Sequence, residues 1–311
     1  MTVAIDSTST PGSVGPGGVG PGSVGIVGLG LLGGSVAKAT RRWATKHESA
    51  CRIVGLARSP STRAWSLEAN LVDHATNQIE DLASCDIVVI ATPVDRIAQW
   101  VIDMAAANPE ASITDVGSTK ATIVEAVSQD AVATTRFLAA HPIAGGEKSG
   151  AQHARADLFD DRPIVLTPSS HENPRVAASI HRFWESLGGR VLSMTPAEHD
   201  QRLAASSHVP HLLSSLAARC VDESSLPLVG SGWRDTTRIA AGDADIWSAI
   251  IGENRDAITA TLKRTRDDLD HLLRAIETHD ETEVRSWLAD AANIRRSISH
   301  RSVSDETKPN S

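Results

Sequence analysis

His141, Ser118 and Arg238, with His199, His208 and His211, are the residues whose types suit proton transfer and anion binding. A neutral imidazole takes up a proton near working pH, and a guanidinium holds both oxygens of a carboxylate. His141 lies in the run "RFLAAHP" (136–142), which places it at the end of an expected strand, and Glu147 follows in the glycine-rich "IAGGEKSG" (143–150). Ser118 stands in "TDVGSTK" (114–120), at an expected helix N-terminus where a hydroxyl also serves as a plain cap. His208 and His211 are three apart, and Arg234 and Arg238 four apart, so each pair can share a helix face. His-x-x-His is a spacing that metals use, but no third ligand is evident and no metal is expected.

The elements that must position these groups begin with a run of glycines. In "PGSVGPGGVGPGSVGIVGLGLLGGS" (11–35) the pattern G-x-G-x-x-G occurs three times. The first two matches contain Pro16 and Pro21 and follow no apolar run, so they read as a flexible leader. The third, Gly28, Gly30 and Gly33, follows Val24, Gly25, Ile26 and Val27 and opens a helical stretch over 31–44. A strand before and a helix after are what a dinucleotide phosphate loop requires. Gly28 is expected to make the tight turn, Gly30 to let a pyrophosphate approach and Gly33 to let helix and strand pack. Leu29, Leu31 and Leu32 complete this loop, whose backbone amides face the cofactor. Arg58 and Ser59 follow the second apolar run with no acidic residue beside them to hold a ribose hydroxyl. A guanidinium there can hold a 2′-phosphate, so the cofactor reads as NAD+ or NADP+, with Arg58 leaning to NADP+. Thr92 and Pro93, in "TPV" (92–94), are expected beside the nicotinamide.

Seven short apolar runs between Val24 and Met194 alternate with amphipathic stretches such as 95–107, 120–128 and 174–187. This alternation predicts βαβ units in a mainly parallel doubly wound sheet. From about 196 to 300 the pattern is helical, and Ile258, Leu262, Leu269, Leu272 and Ile276 stripe one long helix near heptad spacing. The expected fold is therefore α/β: a Rossmann-like doubly wound sheet, then an all-α C-terminal domain for substrate and dimerisation. Its expected parts are a disordered leader (1–22), a dinucleotide-binding domain (23–194), a helical domain (195–300) and a polar tail (301–311). A net charge of −8 offers nothing to nucleic acid or an anionic membrane surface. Three scattered cysteines and the lack of a signal segment or an apolar run of spanning length fit a cytoplasmic protein.

Taken together, "GIVGLGLLGGS", "ATPV", "TDVGSTK", "AHPIAGGEKSG", "HDQ…SSHVPH" and "GWRDTTRIA", in that order, resemble the prephenate/arogenate dehydrogenase family of tyrosine biosynthesis. The resemblance runs from Val24 to about residue 295. It implies an NAD(P)+-dependent oxidative decarboxylation of prephenate to 4-hydroxyphenylpyruvate by a homodimer. By the same match His141 assists deprotonation of the ring hydroxyl, Ser118 helps orient that histidine, and Arg238 binds a substrate carboxylate. His199, His208 and His211 line the substrate pocket, and Glu147 and Trp247 are gating or rim residues. Gly146 stands where members often have threonine, which bears on Glu147 most. His211 favours prephenate over arogenate, because its ring can donate to a carbonyl or carboxylate and, if protonated, would repel the ammonium of arogenate. No chorismate mutase or ACT segment is recognised. The rival readings are an arogenate dehydrogenase, a β-hydroxyacid-type dehydrogenase and a non-catalytic dinucleotide sensor. The second of these relies on a lysine in the helical half, where this chain has histidine and arginine.

Overall fold

The computed structural model describes residues 20–146, 150–169, 171 and 173–305, without the side chains of 298–305. Glu147, nearly all of the expected leader and the end of the tail lie outside the described residues. Contact density divides the chain into one unit ending at Arg255 and a second beginning at Asp256.

The first unit opens with β1 (Ser23–Val27), α1 (Leu31–Lys46), β2 (Arg52–Leu56), α2 (Pro60–Glu68), β3 (His74–Thr76), β4 (Ile87–Ile90), α3 (Ile97–Ala107) and β5 (Ser112–Asp115). All five strands pair in parallel, in the order β3-β2-β1-β4-β5. Successive side chains of a strand point to opposite faces, and both faces are apolar here. Ile87 and Val89 enter one core with α1, while Val88 and Ile90 enter the other with α3. The chain leaves β1 toward β2 and returns on its other side as β4, so the sheet has a switch point between β1 and β4. Open α/β sheets bind ligands beyond the carboxyl ends at such a point.

After α4 (Ala121–Val127) and α5 (Ala131–Arg136) comes a second sheet: β6 (Ala139–Pro142), β7 (Pro163–Thr167) and, beyond α6 (Pro174–Ser186), β8 (Arg190–Ser193). β7 runs antiparallel to β6 and parallel to β8. The pairing is mainly parallel, as expected, and a parallel bridge between Ile113 and Phe137 links β5 to the segment leading into β6. Between β6 and β7 the described residues hold a 3₁₀ turn (Ala151–His153) and no crossover helix, and β7 returns alongside β6. β3 was not expected, because "HAT" has no apolar run.

The helical part of this unit comprises α7 (Pro196–Leu203), a π turn over Ala204–His208, α8 (Val209–Arg219), α9 (Ser231–Thr237), a 3₁₀ turn over Arg238–Ala241 and α10 (Ala244–Glu253). A capping box fixes the start of α7. The Glu198 amide donates to Thr195 Oγ1, and the Thr195 amide donates to the Glu198 carboxylate. Contacts thus thin out at 255/256, while the pattern change that set the expected boundary at 194/195 falls just ahead of α7.

The second unit is α11 (Arg255–Glu277) and α12 (Glu281–Asp305). His279, at φ 55°, turns the chain between them, and Asp280 accepts the Glu283 amide. His271–Glu283 and Asp268–Trp287 contacts pair the two helices antiparallel. Leu269, Ile276, Leu288 and Ile294 are each more than half exposed. No helix among the described residues is long and apolar enough to cross a membrane.

Candidate active site

The switch point carries the third glycine match. Gly28 has φ +98°, and a side chain there would meet the Ala91 carbonyl at 2.5 Å, so β1 and β4 approach closely only with glycine. A Cβ on Gly33 would lie 2.0 Å from the Gly28 carbonyl. Gly30 differs, since a Cβ there would meet nothing within 4 Å. No side chain caps α1 at Gly30, and its first turn holds no acidic residue. Empty space before uncapped amides fits a pyrophosphate. Leu29 is buried with its methyl groups against Gly55, so it contributes backbone alone; Leu31 and Leu32 are half-buried. Beyond β4, Thr92 Oγ1 is buried with no partner among the described residues, and Pro93 heads a 3₁₀ turn.

Past β2, Arg58 is exposed and Ser59 caps α2 by accepting the Thr62 amide. Arg63 donates to the carbonyls of Ala57 (2.7 Å) and Arg58 (2.8 Å), which holds this loop in shape. Sequence reasoning missed Arg63, although a second basic residue in the first turn after a ribose-reading strand was visible.

His141 lies in β6, and its Nδ1 is 2.8 Å from Nε2 of His199. His199 Nδ1 is 2.7 Å from Oδ1 of Asp200. Asp200 also accepts the backbone amides of Lys120 and Ala121, both at 2.8 Å, and so caps α4 from across the chain. A carboxylate in this position only accepts, so the His199 hydrogen sits on Nδ1. A neutral imidazole has one donor and one acceptor nitrogen. His199 Nε2 therefore accepts from His141 Nδ1–H, which leaves Nε2 of His141 as a free base. Burial, then the neighbouring His199 and Lys120, push the His141 pKa well below its ordinary value, so the ring stays neutral. Lys120 is wholly buried. Its ammonium donates to the Asp115 carboxylate and to the Ala140 carbonyl (2.9 Å), while Asp115 accepts the Ala140 amide (2.9 Å). Burial pulls the Lys120 pKa down and Asp115 pulls it back up. The pair clamps the residue before His141.

This geometry bears on two expectations. His199 is buried with both ring nitrogens engaged, by His141 and by Asp200, so it backs His141. Ser118 neither caps α4, which begins at Ala121 under Asp200, nor makes a described hydrogen bond to His141. Asp200 and Lys120 carry this support, and both stood unremarked inside the motifs "HDQ" and "TDVGSTK".

The other site residues form a continuous second group. His208 ends the π turn and His211 follows in α8, both buried. The His211 ring stacks on Trp247 of α10 with centroids 3.5 Å apart, and the His208 ring meets Trp247 edge-on at 6.2 Å. Trp247 is thus a half-buried wall, and its face is taken by His211 rather than left as a gate. The turn bearing Arg238 packs on α8, and Gly242 just beyond it abuts Trp247 and His211. Arg238 itself is exposed. Burial lowers the pKa of His211, whose Nδ1 is buried with no partner among the described residues. Asn254, also missed, donates from its amide to the Asp200 carbonyl and contacts His208, which ties this group to the first. No group of three or more possible metal ligands occurs among the described residues.

Comparison with known proteins identifies the family. Residues 36–193 match the family model described as "Prephenate dehydrogenase, nucleotide-binding domain", and residues 195–290 match "Prephenate dehydrogenase, dimerization domain". The cyclohexadienyl dehydrogenase of Zymomonas mobilis is 32% identical over 220 residues, 68% of this chain and 75% of that protein. The prephenate dehydrogenase of Bacillus subtilis is 28% identical over 271 residues, 84% and 72% of the two chains. Among solved structures, the A. aeolicus prephenate dehydrogenase in complex with hydroxyphenyl propionate and NAD+ superposes with a TM-score of 0.82. It is 29% identical, over 91% of this chain and 100% of that one. The Synechocystis arogenate dehydrogenase gives 0.76 at 30% identity, over 89% and 99%. With matches spanning both halves of the sequence, the chain belongs to the prephenate dehydrogenase family.

Proposed function

We propose that this protein catalyses the NAD(P)+-dependent oxidative decarboxylation of prephenate to 4-hydroxyphenylpyruvate. The observation that carries the reading is the chain Asp200–His199–His141, which ends in a neutral imidazole with Nε2 unprotonated. When bound over Gly28–Gly33, the nicotinamide cofactor supplies the hydride acceptor. His141 Nε2 takes the proton of the ring hydroxyl as hydride leaves the carbon that bears it. The ring carboxylate departs as carbon dioxide, its bonding electrons complete the aromatic ring, and the proton returns from His141 to the ring oxygen. Aromatisation drives the reaction, so the protein mainly positions and polarises. Arg238 and the His211–Trp247 wall hold the side-chain acid.

His211 also bears on the choice between prephenate and arogenate. Its pKa is lowered, so the ring is neutral and, of the two expected means of discrimination, hydrogen bonding is the one that applies. Nδ1 has no partner among the described residues, and a ring that donates from Nε2 suits a carbonyl or carboxylate better than an ammonium. Arogenate dehydrogenation is the second reading, favoured by the likeness to the Synechocystis enzyme.

The exposed guanidinium of Arg58, on a loop that Arg63 holds in shape, supports NADP+. A homodimer is supported by the exposed apolar residues of α11 and α12 and by the match to a dimerization domain. The cysteines described, Cys51, Cys85 and Cys220, are all unpaired, which suits the reducing cytoplasm. The deciding experiment is a nicotinamide-absorbance assay with prephenate and arogenate, each with NAD+ and NADP+. Turnover should be highest with prephenate; a large preference for arogenate would overturn the substrate assignment, and a strong NAD+ preference the role of Arg58.

A further inference from the structure

Asn254 lies at the C-terminus of α10 and is 4% exposed. Its Nδ2 is 2.8 Å from the Asp200 backbone oxygen and 3.1 Å from His208 Nδ1. A backbone carbonyl only accepts, so this end of the side chain is the NH2. Its second hydrogen then goes to His208 Nδ1, which must carry the lone pair. We infer that Asn254 is a positioning residue that holds His208 in its Nε2–H form, making that ring a hydrogen-bond donor to an oxygen of the bound acid and not a second base.

The two neighbouring imidazoles thereby carry opposite tautomers. His141 has hydrogen on Nδ1 and a free Nε2; His208 has the reverse. Asp200 organises both, through its carboxylate and His199 in one direction, and through its carbonyl and Asn254 in the other. A proton on His208 Nδ1 would face the Asn254 NH2, donor against donor. Burial already lowers the His208 pKa to about 4, with Asp200 raising it and His199 lowering it further. The tautomer does not depend on the proposed activity; the role of the donor rests on it.

The test is nitrogen-15 NMR of the histidine-labelled full chain at neutral pH, which reads the hydrogen on each ring nitrogen. Wild type should show His208 as Nε2–H. Asn254→Asp keeps the shape but offers only acceptors, so hydrogen should move to Nδ1 and the pKa of the ring should rise. Asn254→Leu should leave a mixture. In the assay, Asn254→Leu should raise KM for prephenate about tenfold, the worth of one hydrogen bond. The acid limb set by His141 should stay in place. Nδ1–H on His208 in wild type overturns the inference without any need of a variant, as does an unmoved tautomer in a folded Asn254→Asp. An unmoved KM with a moved tautomer overturns the donor role. Failure of wild type to turn over prephenate sinks the proposed function and leaves the NMR result standing.

Discussion

At the carboxyl end of β1 the protein offers a ligand backbone amides and empty space, whereas around β6 it offers side chains drawn from four separate stretches. Gly28, Gly30 and Gly33 act within six consecutive residues, and what matters is the absence of a Cβ. His141, His199, Asp200, Lys120 and Asn254 are brought together over more than a hundred residues of chain, and each depends on the next for its protonation state. The first kind of site fails through sterics and the second through proton placement, so perturbations should separate them cleanly.

The largest expected effect is at the end of the relay. His141→Asn should lower kcat by about 10²–10⁴-fold, the range for a positioned acid–base group, while calorimetric cofactor affinity stays as in wild type. Loss of cofactor binding would break the distinction between the two regions. Next comes Asp200→Asn, which keeps the shape but lets the side chain donate as well as accept. kcat should fall, by less than the roughly 10⁴-fold lost when an orienting carboxylate touches the base itself, because Asp200 acts through His199, with cofactor KM unchanged in steady-state kinetics.

A pH effect on stability sharpens the contrast further. His141 and His208 have lowered pKa values in the folded state. Below about pH 6.5, the ordinary histidine value, the unfolded chain binds protons that these rings refuse. Stability should therefore fall as pH drops, by ~1.4 kcal/mol per unit for each ring, and for His208 the fall ends near its pKa of about 4. Urea midpoints between pH 7 and 5 should show this slope, and His208→Gln should reduce it to the part that His141 contributes. The smallest effect is expected at Gly30→Ala. A methyl there touches no protein atom, so the melting temperature should hold while cofactor KM rises about tenfold. A drop in melting temperature would show that Gly30 serves the fold and not a ligand.

The same contrast explains what was legible in the sequence. The glycine loop is local: a strand, three glycines and a helix are contiguous letters, and their spacing carries the meaning. The doubly wound sheet was readable for a similar reason, since β1, β2 and β4 carry apolar residues on both faces and show as short runs. β3 was not, because three half-polar residues at an edge leave no run. The histidines were visible as types, but not their roles. Nothing in "EHDQ" says that His199 turns inward while Asp200 reaches the amides of α4, because that depends on packing between elements eighty residues apart. Asn254 offered no signal at all, being one polar residue between two helices.

The π turn over Ala204–His208 bears on how this sequence can vary in length. Such a turn holds one residue more than regular winding needs. Removing one residue from 204–208 would let α7 and α8 wind as a single regular rod with the downstream face still in phase, because the widened turn already absorbs the surplus residue. A deletion within α8 itself has no such slack and would turn His211 by about 100° away from the face of Trp247. Length changes should therefore be better tolerated in these five positions than in the regular turns after them.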